Sequence, residues 1–283
     1  MLTYPQAILL GLMQGIAELL PISSLGHTVL IPALLRWNID RSSDFFVSFL
    51  VLTHLATALV LLAVFWRDWL RIIGGVLRSV REREIRNDDV YAKLGWLIVV
   101  STIPAGILGL LFEETLKSLF SSAAIVAVAL ALNGAVLMAV EFFRQRRPDE
   151  GSADDAAIAR LSYLQAVAIG LAQCLALIPG FSRTGLTIAG GLASGLGHEN
   201  AGRYAFLLAT PIILAAALLK LPGLFASGQG VGEALVGAAC AAVAAYGSVR
   251  FLLKYLETKS LKPFALYCAV AGVAALVLTT FGA

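Results

Sequence analysis

The sequence predicts an all-α polytopic membrane protein built as an inverted-topology duplication. Each half is a re-entrant helical hairpin followed by three transmembrane helices. Three observations carry this reading: a composition far from that of a soluble domain, six apolar runs of spanning length, and two interrupted apolar regions that match one another.

Of 283 residues, 59% are hydrophobic and only 14% charged, with a mean hydropathy of +0.86. An ordinary soluble domain carries about 25% charged residues. The net charge of +3 gives no reason to expect a nucleic-acid partner. Cys174, Cys240 and Cys268 lie in apolar runs without metal spacing or a paired framework, so they read as small core residues. The start, "MLTYPQAILL", has no basic region of the secretory type and carries no lipidation motif.

Along the chain, residues 5–36 come first, broken near the middle by "PISSLGH". Spans at about 45–66, 92–112 and 121–143 follow, each near the roughly 20 residues that cross a bilayer. Residues 161–197 are again apolar but broken by "PGFSRTG", and spans at about 203–221, 232–254 and 262–281 complete the chain. In both broken regions each helix has only about 12–16 residues, too short to cross alone at 1.5 Å per residue. Non-helical backbone at membrane depth is tolerated only where protein or a watery cavity satisfies it.

The two broken regions are related. Shifting the first by 159 positions places Gly11 on Gly170, Leu12 on Leu171, Gln14 on Gln173, Ala17 on Ala176, Ser23 on Ser182, Gly26 on Gly185 and Thr28 on Thr187. The spans that follow align more weakly, at a shift of 157. The single membrane domain, 1–283, thus divides into a repeat of about 1–143 and a repeat of about 161–283, joined by a cytoplasmic loop at 144–160. Three spans per repeat invert the second half. Basic residues crowd the loops at 67–91, 144–160 and 254–262, which the positive-inside rule assigns to the cytoplasm. Both termini then face outward. The hairpins enter from opposite sides, and their polar tips can meet near the midplane, as in other inverted repeats with broken helices.

An ionisable group at membrane depth is a functional candidate by default. Glu18 shares a helix face with Gln14, four residues earlier. Together they could offer oxygen ligands to a hard divalent cation, Mg²⁺ or Ca²⁺; the plainer reading is a helix-packing pair. His27 follows "SSLG" and suits acid–base work or attack on phosphorus, or is a buried neutral ring bonded to a carbonyl. His54 has only Thr53 and Thr57 as polar neighbours in the chain and reads as packing; His198, in "GLGHEN", reads as interfacial.

Arg183 is the sharpest signal, because a guanidinium fork matches phosphate oxygens. Around it stand Gly180, Ser182, Thr184 and Gly185. Glycines and hydroxyls with a helix start near Thr184 form an anion site. Ser23, Ser24 and Gly26 offer the same ingredients before a helix from about Thr28. The structural alternative is two helix caps and an Arg183–Glu18 pair. Together these groups suit a phosphate or diphosphate held at the membrane. No Walker "GK[ST]" and no "HExxH" is present.

"QGIAELLPISSLGH" (Gln14–His27) and "PGFSRTGLT" (Pro179–Thr187) resemble the two signature motifs of the undecaprenyl-diphosphate phosphatase family, the bacitracin-resistance type. The likeness runs over nearly the whole chain, through "IPAGILGLLFEETLKSLF" (Ile103–Phe120), "LAQCLALIPGFSR" (Leu171–Arg183) and "KPFALY" (Lys262–Tyr267).

The resemblance implies a multi-pass enzyme of the bacterial plasma membrane that removes the terminal phosphate of undecaprenyl diphosphate and recycles the cell-wall lipid carrier. It further implies a divalent cation and an active site on the outer side. By position, it implies that Glu18 is the essential second acidic residue of the first motif, with Gln14 where the family has Glu or Gln. Ser24 and His27 become the serine and histidine of the nucleophile or acid–base pair, and Arg183 the diphosphate-binding arginine, with Ser182 and Thr187 beside it. Ser23, Gly26, Gly180, Thr184 and Gln173 complete the substrate-binding set. The attacking group stays open between Ser24, His27 and a water activated by His27. Leu50 stands near a usual Glu, His54 replaces a usual Gln, and Cys268 stands where Arg is common. Inverted repeats also suit alternating access, so a polyprenyl-phosphate transporter or flippase is the second reading. A purely structural subunit would explain neither Arg183 nor the polar repeat.

Overall fold

The computed structural model describes residues 2–40, 43–86, 88–120, 122–144, 154–227 and 230–281, with backbone only at Glu113, Glu114, Lys117 and 220–227. It is all-α. Two short helices, α1 (Tyr4–Leu19) and α2 (Ser24–Leu34), form the first hairpin. Then come α3 (Asp44–Val64), α4 (Trp66–Glu82), α5 (Val90–Leu111), α6 (Glu113–Leu119) and α7 (Ala123–Arg144). After the short α8 (Asp155–Ala159), the second hairpin is α9 (Tyr163–Cys174), extended by a 3₁₀ turn at Leu175–Leu177, and α10 (Arg183–Ala193). The chain ends in α11 (His198–Ser227), α12 (Val231–Leu256) and α13 (Lys262–Phe281). Six helices (α3, α5, α7, α11, α12 and α13) are long and apolar enough to cross a membrane. These are the six expected spans. The loop 144–160 falls largely outside the described residues.

The two hairpins start with the same device. Thr3 accepts from the Gln6 N–H while the Gln6 side chain accepts from the Thr3 N–H. Ser162 and Gln165 repeat this at α9. Both are capping boxes, which satisfy the orphan donors of a helix start. Thr3 and Gln6 stand 159 positions before Ser162 and Gln165, the same shift that aligns the two broken regions.

Small residues let the short helices sit flush on the spans. Gly11 of α1 lies against the backbone of Gly237 on α12, and its counterpart Gly170 of α9 lies against the backbone of Ser101 on α5. Gly134 and Gly272 bring α7 and α13 together in the same way. Such close approach is how apolar helices associate when lipid removes the hydrophobic drive between them. Ser101 also donates to the Ala166 carbonyl at 2.7 Å and meets the Tyr204 hydroxyl at 2.7 Å, tying α5 to α9 and α11. The outer surface is apolar, with Leu110, Leu164, Leu218 and Val243 exposed, as a bilayer solvent requires.

The segment 67–91, expected as a basic loop, is largely helix α4. Its pattern is amphipathic rather than loop-like: Ile72, Gly75 and Ser79 turn inward at helical spacing, and the arginines point out. The helix is tied to α5 by Trp96 Nε1, which donates to Ser79 Oγ at 2.9 Å, and by Arg78, which donates to Asp89. Asp89 also caps α5 by accepting from the Ala92 N–H at 3.0 Å. Burial raises the Asp89 carboxyl, but the hydrogen bonds from Ala92 and Arg78 prevail and hold it below the ordinary carboxylate range. Because the folded value is depressed, this stabilisation is present at neutral pH and lost as pH falls through the acid range. Asp89→Ala should lower stability in detergent by about 1 kcal/mol at pH 7, and the gap from wild type should shrink on acidification. Thermal unfolding at neutral and acid pH reads both.

Candidate active site

The two hairpin turns meet inside the bundle. Ser23 caps α2 by accepting from the Gly26 N–H at 3.1 Å, and Ser182 caps α10 by accepting from the Gly185 N–H at 3.1 Å. The helix therefore begins at Ser24, earlier than the expected Thr28, because this cap takes the first free N–H groups. Ser24 and Arg183 are the first residues of their helices, so both stand at positive helix ends. Ser23 has φ 69° and ψ 98°, a sparsely populated conformation for a residue with a Cβ. Gly180 has φ 111°, and a Cβ there would lie 2.6 Å from the Ala129 Cβ, so only glycine fits. A Cβ on Gly26 would lie 3.3 Å from the Gly180 Cα, and one on Gly185 3.2 Å from the Pro21 Cβ.

Glu18 is the centre of the contact. It is buried at the end of α1. Its Oε1 pairs with Arg183 from the opposite hairpin. Its Oε2 accepts from Ser24 Oγ at 2.5 Å and from Gln14 Nε2 at 3.1 Å, and lies 3.2 Å from His54 Nε2. Three donor groups, with the His54 ring beside them, converge on a carboxylate with about four lone-pair sites. The Thr184 hydroxyl donates to the Glu18 carbonyl at 2.7 Å, a second link between the hairpins.

His54 corrects the sequence reading, which took it as packing. It lacks polar neighbours along the chain, but α3 packs beside α1 and delivers its ring to Glu18. Its Nδ1 donates to the Leu50 carbonyl at 2.7 Å, which fixes the ring beside the carboxylate. The signal was present: an ionisable side chain within a span. His198, read as interfacial, has its Nε2 2.6 Å from the buried Glu141 Oε1, which also accepts from the Leu261 N–H at 2.7 Å.

Two further residues were missed. Asn133 of α7 donates to the Pro21 carbonyl at 3.3 Å and accepts from the Ser182 N–H at 3.0 Å, clasping one hairpin to the other. A fully buried amide in "ALNGAV" was its only mark. Tyr267 of α13 meets His27 Nε2 at 2.6 Å, and its place in "KPFALY" was noted without a role. Cys268 stays a buried thiol near the Pro21 carbonyl.

The expected site residues fall into three groups. Glu18, Gln14, Ser24 and Arg183 are joined directly. Ser23 and Ser182 are caps, and Thr184 is a bridge, so the plainer reading of caps plus an Arg–Glu pair is present in full beside the functional one. His27 turns to Ser23 O and Tyr267, without a hydrogen bond to Ser24. Gln173 and Thr187 are buried with no hydrogen-bond partner at either amide atom or at Oγ1, and Gln14 Oε1 likewise. Buried polar atoms without partners are uncommon.

Fold and site together define a polytopic helical membrane protein with an ion-paired centre built from two short helical hairpins. The chain belongs to a family described as bacitracin resistance protein BacA, whose model matches residues 7–274. It is 46% identical to the undecaprenyl-diphosphatase of Mycolicibacterium paratuberculosis, over 98% of this chain and 97% of the relative. It is 44% identical to undecaprenyl-diphosphatase 2 of Chromobacterium violaceum, over 96% and 97%. To the undecaprenyl-diphosphatase of Acidiphilium cryptum it is 43% identical, over 98% of both chains.

Asn133→Leu should leave the Ser182 N–H without a partner and the Pro21 carbonyl with only the weak Cys268 thiol donor, at about 1–3 kcal/mol for a buried group left unpaired. A clearly lower thermal midpoint in detergent is expected. An unchanged midpoint would refute the clasp.

Proposed function

We propose that this chain is an integral membrane phosphatase that hydrolyses undecaprenyl diphosphate to undecaprenyl phosphate and phosphate, returning the carrier lipid to cell-wall synthesis. One observation carries the reading to these residues: Ser24, Glu18 and Arg183 are hydrogen-bonded in series across two facing helix N-termini. The names of relatives matched over nearly their full length support the same activity and favour hydrolysis over the transporter reading.

The diphosphate enters between the hairpin turns with its prenyl tail in the lipid. A phosphate dianion competes with Glu18 for the Arg183 fork, which offers paired donors to either. As Arg183 turns to phosphate, Glu18 keeps its contact with Ser24 and becomes a better proton acceptor. The Ser24 Oγ–Glu18 distance of 2.5 Å is the nucleophile–base geometry of covalent catalysis. Of the attacking groups left open by the sequence, Ser24 is thus favoured. Its Oγ bonds the terminal phosphorus, its proton passes to Glu18, and the bond to the bridging oxygen breaks, releasing the lipid monophosphate. Water then attacks the phosphoserine phosphorus, the Oγ–P bond breaks, Glu18 returns the proton to Ser24 Oγ, and phosphate leaves. Arg183 and the N–H groups at the starts of α2 and α10 stabilise charge on the transferring group.

The residues present fit a divalent cation. Gln14 Oε1 is a buried oxygen without a partner beside the Glu18 carboxylate, and hard cations are often shared between one or two carboxylates and substrate phosphates. Among the described residues, no group of three or more His, Cys, Asp and Glu could hold a metal, so Gln14 and Glu18 would hold it together with the substrate. When bound, it supplies neutralisation of phosphate charge. The inverted duplication is part of the proposal, supported by the matched capping boxes, turn caps and glycine contacts. So are the outward-facing site, supported by the side to which the basic loops are assigned, and the plasma-membrane location, supported by the family and the six candidate spans.

Phosphate release from a polyprenyl diphosphate in detergent tests the scheme. Arg183→Ala, Glu18→Gln and Ser24→Ala should each lose about 10²-fold or more in turnover; near wild-type release from any of them would refute its role. His54→Gln, which keeps a polar side chain beside Glu18, should stay within a few-fold of wild type, and His54→Leu should not.

A further inference from the structure

His27 is held from both sides by groups that fix its protons. Its Nδ1 lies 2.7 Å from the Ser23 carbonyl oxygen. A carbonyl oxygen only accepts, so Nδ1 carries the hydrogen. In the neutral ring Nε2 is then a lone-pair acceptor. The group that meets it, at 2.6 Å, is the hydroxyl of Tyr267. The two rings are stacked, with centroids 5.7 Å apart and planes within 8°. His27 is buried, whereas Tyr267 is 42% exposed on α13, outside both hairpins.

We infer that Tyr267 is a positioning residue: the Ser23 carbonyl sets His27 as the Nδ1–H tautomer, and the Tyr267 hydroxyl donates to Nε2 and fixes the ring, so that a proton reaching Nε2 during turnover passes through that hydroxyl. Orientation of an imidazole by the bond at its other nitrogen is a general device. Here the backbone of the first hairpin supplies one bond and a helix from the far end of the chain supplies the other. Ser23, which provides the carbonyl, has a positive φ of 69°, and that turn aims the carbonyl at the ring. Tyr267 is the titratable side chain in contact with His27; Glu18 of α1 turns to Ser24, and Cys268 of α13 to the Pro21 carbonyl. Among the described residues, no ion pair involves His27. A Phe at 267 would keep the stacked ring and lose only the hydroxyl, which separates hydrogen bonding from packing.

The kinetic part rests on the phosphatase reading, but the tautomer can be read without turnover. The chain has three histidines, His27, His54 and His198, so ¹⁵N-histidine labelling of the full protein in detergent gives a tractable spectrum, and His27→Gln assigns the His27 signals. In wild type, Nδ1 should show a protonated-type shift and Nε2 a non-protonated one. Tyr267→Phe should move Nε2 downfield, as a pyridine-type nitrogen losing a hydrogen bond does. In the phosphate-release assay, Tyr267→Phe should lose roughly 10-fold or more in kcat with KM little changed, shift the pH profile, and be as impaired as Tyr267→Ala. Protonated-type Nε2 in wild type would overturn the inference. So would Tyr267→Phe with wild-type kcat and pH profile beside an impaired Tyr267→Ala, since packing alone would then explain the residue. Wild-type protein that releases no phosphate would refute the phosphatase reading and leave the nitrogen shifts to decide the tautomer.

Discussion

The pairing of Glu18 with Arg183 is the constraint on which the rest of this structure depends. Each charge is expensive at membrane depth, and each is nearly surrounded by protein. A buried pair contributes little unless its remaining bonding capacity is met. Here Gln14 and Ser24 meet it on the carboxylate side, with the His54 ring beside them. The pair joins two hairpins 165 residues apart in the chain. Neither hairpin could hold its charge alone; brought together, they make a centre that a phosphate can enter by exchange for the carboxylate.

The scaffold serves that meeting. Short helices carry the chain only part of the way through the bundle, so their turns fall in the interior. Serine caps at both turns satisfy backbone donors inside the bundle. Asn133 clasps the turns from α7, and Thr184 adds a bond from α10 to the end of α1. Gly11 and Gly170 let α1 and α9 lie against α12 and α5, which sets how deep each turn sits. Corresponding residues of the two halves thus do corresponding mechanical work, while the chemistry is divided unequally: carboxylate, serine and imidazole on one turn, guanidinium on the other.

Much of this was legible in order along the chain. The six spans follow from length and hydropathy, because a bilayer imposes one crossing distance. The hairpins follow from prolines, glycines and serines that no apolar span needs. Glu18 and Arg183 stand out because charge in such a segment demands a partner. The basic segment after α3 looks like a loop by its arginines, yet the helical spacing of Ile72, Gly75 and Ser79 makes it a helix.

The sequence by itself determined the class of protein, the two turns and the residue types gathered there, since each depends on local composition and spacing. Only the tertiary structure decided the partners. His54, Asn133 and Tyr267 lie on helices whose phase and packing angle no local pattern records, and each acts on a residue far away in the chain. The same holds for Ser24 and His27, three residues apart on one short helix. Their positions are fixed locally, yet the helix rotation turns the serine to Glu18 on α1 and the histidine to Tyr267 on α13.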